Sequence, residues 1–166
     1  MSYLVDANVL IEAKNRYYAF DIAPGFWTWL EQAHDRGVVL SIEKVSKELR
    51  RGDDELATWA KTYREFFLPI DQSTTRFFAP LSIWAQSQNF TPAALSGFSA
   101  NDADYLLVAF AAAHGHTVVT HEIAGSGSRK RVKIPDACRA LGVSYVNTFQ
   151  MLRNTGTVFE FRGVSL

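Results

Sequence analysis

The sequence predicts an α/β domain, a three-layer α/β/α sandwich with a central parallel sheet. Two observations predict it. Short apolar, often β-branched runs alternate along the chain with stretches of helical periodicity, and strands that alternate with helices pair in parallel with helices on both faces. Acidic residues also stand just past strand-like runs, Asp6 after the first and Glu122 after a later one. That is where an open parallel sheet gathers its ligands, at the carboxyl ends of the strands.

Residues 2–5 read as the first strand, and Asp6 follows it directly. An unpaired carboxylate is costly to bury, so Asp6 is expected at a strand mouth facing water, a metal or a hydrogen-bond donor. A helix is expected from Asn8, as N-cap, to about Tyr17. Pro24 opens a second helix and Gly37 closes it, in keeping with proline at the first helical turn and glycine just past the last. Val38 to Ile42 is a second buried strand, followed by a helix from Glu43 towards Arg51 whose apolar positions Val45 and Leu49 lie one turn apart.

Residues 53–98 read as a helical middle section interrupted at Pro69, Pro80 and Pro92. Its aromatics (Trp59, Tyr63, Phe66, Phe67, Phe77, Phe78 and Trp84) are expected to pack in the core or between helices. Ser99 to Asp104 is a capping signal for the apolar helix Tyr105–Ala113, which His114-Gly115 ends. His116 to Thr120 is a third strand with His121 and Glu122 at its carboxyl end. A glycine- and serine-rich loop from Gly125 to Ser128 leads into Arg129-Lys130-Arg131-Val132-Lys133. A helix from Ile134 to Gly142, a strand from Val143 to Val146 and a last helix capped by Asn147 complete the order. Residues 154–166 form a C-terminal tail in which Thr157–Phe161 alternates like an added edge strand. There is no internal repeat, and one domain over 1–166 is the expectation.

Composition narrows the class. The chain has 166 residues with 17 basic and 17 acidic side chains, a net charge of zero, which argues against a general nucleic-acid coating protein. No apolar run reaches the roughly 18 residues of a membrane span, and the N-terminus lacks the pattern of a signal peptide. The single cysteine, Cys138, rules out an internal disulfide framework and fits a reducing compartment, so cytoplasm is the expected location. The residue is expected to be a small buried apolar group.

The candidate chemistry is acidic. Asp6, Asp102 with Asp104 at the start of the apolar helix, and Glu122 should all reach the same sheet edge. Such carboxylates repel one another unless a cation sits between them, and several hard oxygen ligands suit Mg²⁺ or Mn²⁺. Zinc spacing, a GxGxxG loop and a phosphate-binding loop are all missing from the sequence. From the helix after the second strand, Glu48 is preferred over Glu43 as a ligand because Val45 and Leu49 draw its neighbourhood towards the packed face. Glu43 merely starts the helix, where a carboxylate favours the dipole.

Each residue also has a plainer reading. Asp102 reads as a helix N-cap, Asp104 as a first-turn carboxylate, the 129–133 run as a solvated loop and Asp136 as a helix-start residue. His121 reads as a structural histidine rather than a general base.

Four segments in order resemble the PIN-domain nucleases. They are Leu4-Val5-Asp6-Ala7-Asn8-Val9-Leu10, Ser41-Ile42 to Val45-Ser46-Lys47-Glu48-Leu49, Asn101-Asp102-Ala103-Asp104 leading into Leu107-Val108-Ala109-Phe110-Ala111, and Val118-Val119-Thr120-His121-Glu122. The likeness spans residues 2 to about 150. It implies a five-stranded parallel sheet sandwiched by helices and Mg²⁺-dependent cleavage of RNA, commonly as the toxin half of a bacterial toxin–antitoxin pair. Position by position it makes Asp6, Glu48 and Asp104 the first three acids and places Glu122 near the fourth. There the family usually carries Thr-x-Asp and this chain has Thr120-His121-Glu122. Asn8 and Thr120 match supporting polar positions.

The mechanism implied is metal-assisted hydrolysis, with Mg²⁺ or Mn²⁺ held by Asp6, Glu48 and Asp104 and with Asp102 or Glu122 orienting water or a second ion. Arg129, Lys130, Arg131 and Lys133 are placed to meet RNA phosphates, and Lys14, Arg16, Arg50 and Arg51 are further candidates. Tyr17 or Tyr18 could stack on unpaired bases. An RNA substrate, an antitoxin encoded nearby and a homodimer are the expected partners. The alternative is a non-catalytic PIN-like module that binds RNA or protein. A phosphotransferase with Asp6 as nucleophile ranks last, since it wants a second carboxylate two residues on and Asn8 stands there.

Overall fold

A computed structural model describes residues 1–125 and 127–163. Ser126 of the expected loop and residues 164–166 of the expected tail lie outside the described residues. Among the described residues, five parallel strands form one sheet in the order β3-β2-β1-β4-β5: β1 (Tyr3–Val5), β2 (Val39–Ile42), β3 (Phe67–Leu68), β4 (Thr117–Val119) and β5 (Tyr145–Val146). β1 lies in the middle, with Leu4 opposite Leu40 on one side and Val118 on the other. All three residues of β1 are buried, as a central parallel strand covered on both faces requires.

Helices cover the sheet. They are α1 (Ala7–Glu12), α2 (Pro24–Asp35), α3 (Glu43–Leu49), α4 (Glu55–Thr62), α5 (Gln72–Thr75), α6 (Phe78–Ser87), α7 (Pro92–Gly97), α8 (Ala103–His114), α9 (Ile134–Leu141) and α10 (Thr148–Asn154). α8 is apolar almost all round and is buried from Tyr105 through Ala111, as such a helix must be. Asp102 caps its start by accepting from the Tyr105 N–H, and Gly115 ends it at φ +70°, a backbone that favours glycine. No helix is long and apolar enough to cross a membrane among the described residues.

Three expectations need correction. The middle section over 53–98 is not purely helical. A short 3₁₀ turn at Arg64–Phe66 delivers Phe67 and Leu68 into β3, which pairs with Ser41 and Ile42 of β2 and completes the sheet. The prolines there are not uniform breaks either: Pro92 opens α7, and Pro80 lies within the first turn of α6, where its missing N–H costs nothing. The tail is the second correction, because Thr157–Phe161 forms no strand.

The third is the cap of α1, which is Asp6 and not Asn8; Asn8 is exposed. The helix then widens into a π-turn at Ala13–Tyr17, where Tyr18 N–H donates to the Ala13 carbonyl at 2.6 Å. The aromatic expectation holds for Trp59, Phe66 and Phe67, which are buried; Phe77, Phe78 and Trp84 pack against the core from its margin, and Tyr63 is exposed.

Candidate active site

Asp6 sits where β1 ends. Its N–H donates to the Val119 carbonyl at 3.1 Å, so the β1–β4 ladder runs one residue past β1 and holds Asp6 at the carboxyl edge of the sheet. The side chain is nevertheless enclosed, with 1% of the residue exposed. Burial pushes its carboxyl up to about 8, and the charges of Asp104 and Glu122 push in the same direction. The nearby N–H groups of Asn8 and Ala7 pull the other way without closing a capping hydrogen bond. Thr120, also buried, lies with its Oγ1 3.4 Å from Asp6 Oδ2.

Of the other expected acids, Asp104 and Glu122 act on Asp6, whereas Glu48 and Asp102 are linked to Asp104. Glu48, half-buried on α3, is shifted upward by its own burial and then by Asp104, against Arg51, Lys44 and Arg131. Glu43 is exposed. Asp102 is raised to about 6 by burial and by Asp104, while its carboxylate serves as the cap of α8. Asp104, in the first turn of α8, therefore interacts electrostatically with Asp6, Glu48 and Asp102.

Glu122 behaves differently. Its Oε2 accepts the Ile134 N–H at 2.7 Å, which ties the strand end to the start of α9, and its own N–H donates to Thr120 Oγ1 at 3.2 Å. Its Oε1 is buried and makes no hydrogen bond; Arg131 Nη2 at 3.0 Å and Lys133 Nζ at 3.8 Å are ion-pair contacts only.

Arg131 is the residue whose position the sequence did not reveal. Its Nη2 donates to Asp104 Oδ2 at 3.0 Å and lies equally close to Glu122 Oε1. Burial works against its charge, but the hydrogen bond to Asp104 and the charges of Glu122, Asp104 and Asp6 outweigh it, so the guanidinium is held above its ordinary range. A signal was present in the spacing: outside a helix, side chains two apart tend to share a side, and Arg131 and Lys133 both meet Glu122 while Val132 is buried.

The remaining basic candidates divide. Arg129 is anchored away from the acids, donating through Nε to the Asn89 carbonyl and through Nη2 to Asn89 Oδ1. Lys130 is exposed and lines, with Arg131, a cavity of about 230 Å³ that also reaches Asp102 and Asp104. Lys14 is paired with Asp54 at 2.7 Å. Arg16, Arg50 and Arg51 are exposed. His121 accepts or donates a hydrogen bond at Thr148 Oγ1 and stacks against Tyr17, in keeping with a structural role. Asp136 sits in the first turn of α9 and accepts from Gly125 N–H. Cys138 is fully buried and its thiol is pushed up to about 12, chiefly by that burial.

The donor set suits a hard divalent cation: oxygen ligands only, one carboxyl buried and repelled by its neighbours, and one buried carboxylate oxygen without a hydrogen bond. The side chains are not yet gathered about such an ion. Among the described residues no three acidic, histidine or cysteine side chains converge closely enough to hold one. Arg131 supplies a positive charge between Asp104 and Glu122 instead.

A family model described as "Domain of unknown function (DUF4411)" matches residues 3–159. No curated protein matches the sequence. Several solved structures share the fold, among them the following three. VapBC2 from Rickettsia felis, bound to a DNA fragment from their promoter, is 15% identical over 89% of this chain and 98% of that chain, with a TM-score of 0.57. FitAB bound to an IR36 DNA fragment is 17% identical over 87% and 94%, with a TM-score of 0.51. FitAcB from Neisseria gonorrhoeae is 19% identical over 89% and 98%, with a TM-score of 0.50. At these identities the likeness is one of fold, and the PIN-like sandwich expected from the sequence is the fold found.

Proposed function

The chain belongs to the DUF4411 family, and from its site we propose that it is a divalent-metal-dependent endoribonuclease of the PIN type. The observation that carries this reading is the buried Asp6, raised to about 8 by burial and by Asp104 and Glu122 at the carboxyl edge of the sheet. Keeping several carboxylates in mutual repulsion is costly, and a bound cation relieves that cost. Asp6, Glu48 and Asp104 would hold Mg²⁺ or Mn²⁺. Once bound, the ion would polarise a scissile phosphate and lower the pKa of a water for in-line attack.

The chain's own residues prepare that chemistry. Thr120 steadies Asp6 from β4, while Asp102 holds the start of α8 and so fixes Asp104. Glu122 anchors α9 and the basic segment before it. Arg131 exchanges its carboxylate partners for a substrate phosphate, a planar fork suited to that group. Lys130, exposed beside the same cavity, adds a second phosphate contact. In the cell this reading makes the protein the toxin of a toxin–antitoxin pair, acting on RNA in the cytoplasm, with an antitoxin partner and a homodimer as its assemblies. The fold it shares with VapBC2 and FitAB supports that part.

The test is cleavage of single-stranded RNA by purified protein with Mn²⁺, with Asp6→Asn as control. Metal-dependent cleavage lost in the variant supports the reading; equal cleavage by both at matched purity rejects the site. One observation favours a second reading, a non-catalytic RNA- or protein-binding module. Arg131 already pairs with both Asp104 and Glu122. RNA binding that persists without any Mn²⁺ binding at millimolar metal would select it.

A further inference from the structure

Beside Glu122, on the β5 side of the sheet edge, lies a cavity of about 470 Å³ bounded by Thr120 to Ala124, Arg139, Tyr145 to Asn147, Phe149 and Gln150. We propose that this cavity is a base-binding subsite of the nuclease, taking one unpaired guanine of single-stranded RNA next to the scissile phosphate. The proposal rests on the nuclease reading for its substrate and on the cavity's own chemistry for the base.

Three features carry it. The first is continuity: Thr120 and Glu122 belong both to this cavity and to the acidic cluster, so a nucleotide seated here adjoins the phosphate the acids would meet. The second is an aromatic lining. Phe149, Tyr145 and His121 border the cavity, with the Phe149 and His121 rings 6.3 Å apart; Tyr17, outside the cavity, backs Phe149 edge-on at 5.4 Å. The Arg139 guanidinium lies 6.0 Å over the Tyr145 ring, and Ile123 is 80% exposed at the same cavity. Aromatic rings and guanidinium planes are the surfaces on which unpaired bases stack.

The third feature is the polar groups on the side away from Glu122. Asn147 and Gln150 close a reciprocal capping box, in which the Asn147 Oδ1 accepts the Gln150 N–H and the Gln150 Oε1 accepts the Asn147 N–H. The box turns each carboxamide oxygen to the helix start and leaves both NH₂ groups as donors. Arg139 adds a guanidinium to them. Guanine presents two adjacent acceptors to such donors, O6 and N7, where uracil presents the single O4 and adenine and cytosine place an amino group.

The experiment is a titration of metal-free protein with each 5′-nucleoside monophosphate, followed by NMR signals of Tyr145, Phe149 and His121, with thermal melts of each variant as a folding check. GMP is expected to shift these signals and to bind at least fivefold more tightly than AMP, CMP or UMP. Arg139→Ala, at an exposed position, should remove that preference while the fold persists. Equal binding of all four nucleotides overturns the guanine assignment, and no shift at these residues overturns the site. Because the readout needs neither metal nor cleavage, guanine binding without RNA cleavage rejects the nuclease reading alone. Cleavage without nucleotide shifts rejects this subsite alone.

Discussion

Arg131 Nη2 donates a hydrogen bond to Asp104 Oδ2 at 3.0 Å, across 27 residues of sequence. The same nitrogen reaches Glu122 Oε1, so one cation of the chain's own stands among the acids that a metal would need. Any divalent ion entering here competes with a guanidinium that is fixed to the fold and always charged.

Removing the competitor should therefore favour metal. Arg131→Ala is expected to bind Mn²⁺ about tenfold more tightly than wild type in calorimetric titration, a difference of about 1.4 kcal/mol. Arg131→Lys should remain near wild type, since it keeps the charge. Unchanged or weaker Mn²⁺ affinity in Arg131→Ala would show that the guanidinium does not guard the site.

The metal-free protein should also carry a pH signature. Asp6 titrates near about 8 when folded, against an ordinary value of 3.8. Between those values the folded chain keeps a proton that the unfolded chain has lost, so stability falls as pH rises through this window and levels off above it. Asp102, raised to about 6 by burial and Asp104, adds to the slope in the same direction. In thermal melts with chelator, wild type should lose stability from about pH 4 to about pH 8, and Asp6→Asn should lose much less. Parallel profiles for the two proteins would place the repulsion elsewhere.

Glu48 and Glu43 offer a comparison within one helix. Glu48 is half-buried and coupled to Asp104, while Glu43 is exposed. Glu48→Gln should reduce RNA cleavage by about 100-fold, on the scale of losing a metal-site carboxylate or its immediate support. Glu43→Gln should stay within about twofold, as for a surface change away from the site. Initial rates on one RNA substrate check both.

Much of this arrangement is legible in the sequence because the central strands are unambiguous. Leu4-Val5 and Val118-Val119 are apolar runs and Val39 to Ile42 is apolar but for Ser41, and each is followed by the residue or helix that forms the site. β3 is not legible, since Phe67 and Leu68 are two residues inside an aromatic, helix-rich stretch with no alternation to mark them. Their strand conformation comes from pairing with Ser41 and Ile42, a tertiary effect. The partnership of Arg131 with Asp104 is hidden for a similar reason: the spacing of Arg131 and Lys133 hints at a shared side, but nothing in a basic loop names an acid 27 residues earlier as its partner. Asp102 and Asp104 are two positions apart, and their division into a capping carboxylate and one that acts on Asp6 is legible in the helix-start pattern.

The edge strand has a stability consequence. Phe66 is 1% exposed and packs edge-on against Trp59 and Phe67 where β3 begins. Phe66→Ala should cost about 3 to 5 kcal/mol in urea unfolding, as for other buried phenylalanines truncated to alanine. A loss under about 1 kcal/mol would mean that the β3 margin is loosely held.

The central claim, that the carboxylates around Asp6 form a metal-dependent nuclease centre, is tested most directly by one assay. Purified wild type and Asp6→Asn are incubated with single-stranded RNA in Mn²⁺, with and without excess chelator. Cleavage by wild type that chelator stops and that the folded variant lacks is the predicted result. Cleavage that survives both chelator and the substitution, or no cleavage by wild type at any Mn²⁺ concentration, contradicts the claim.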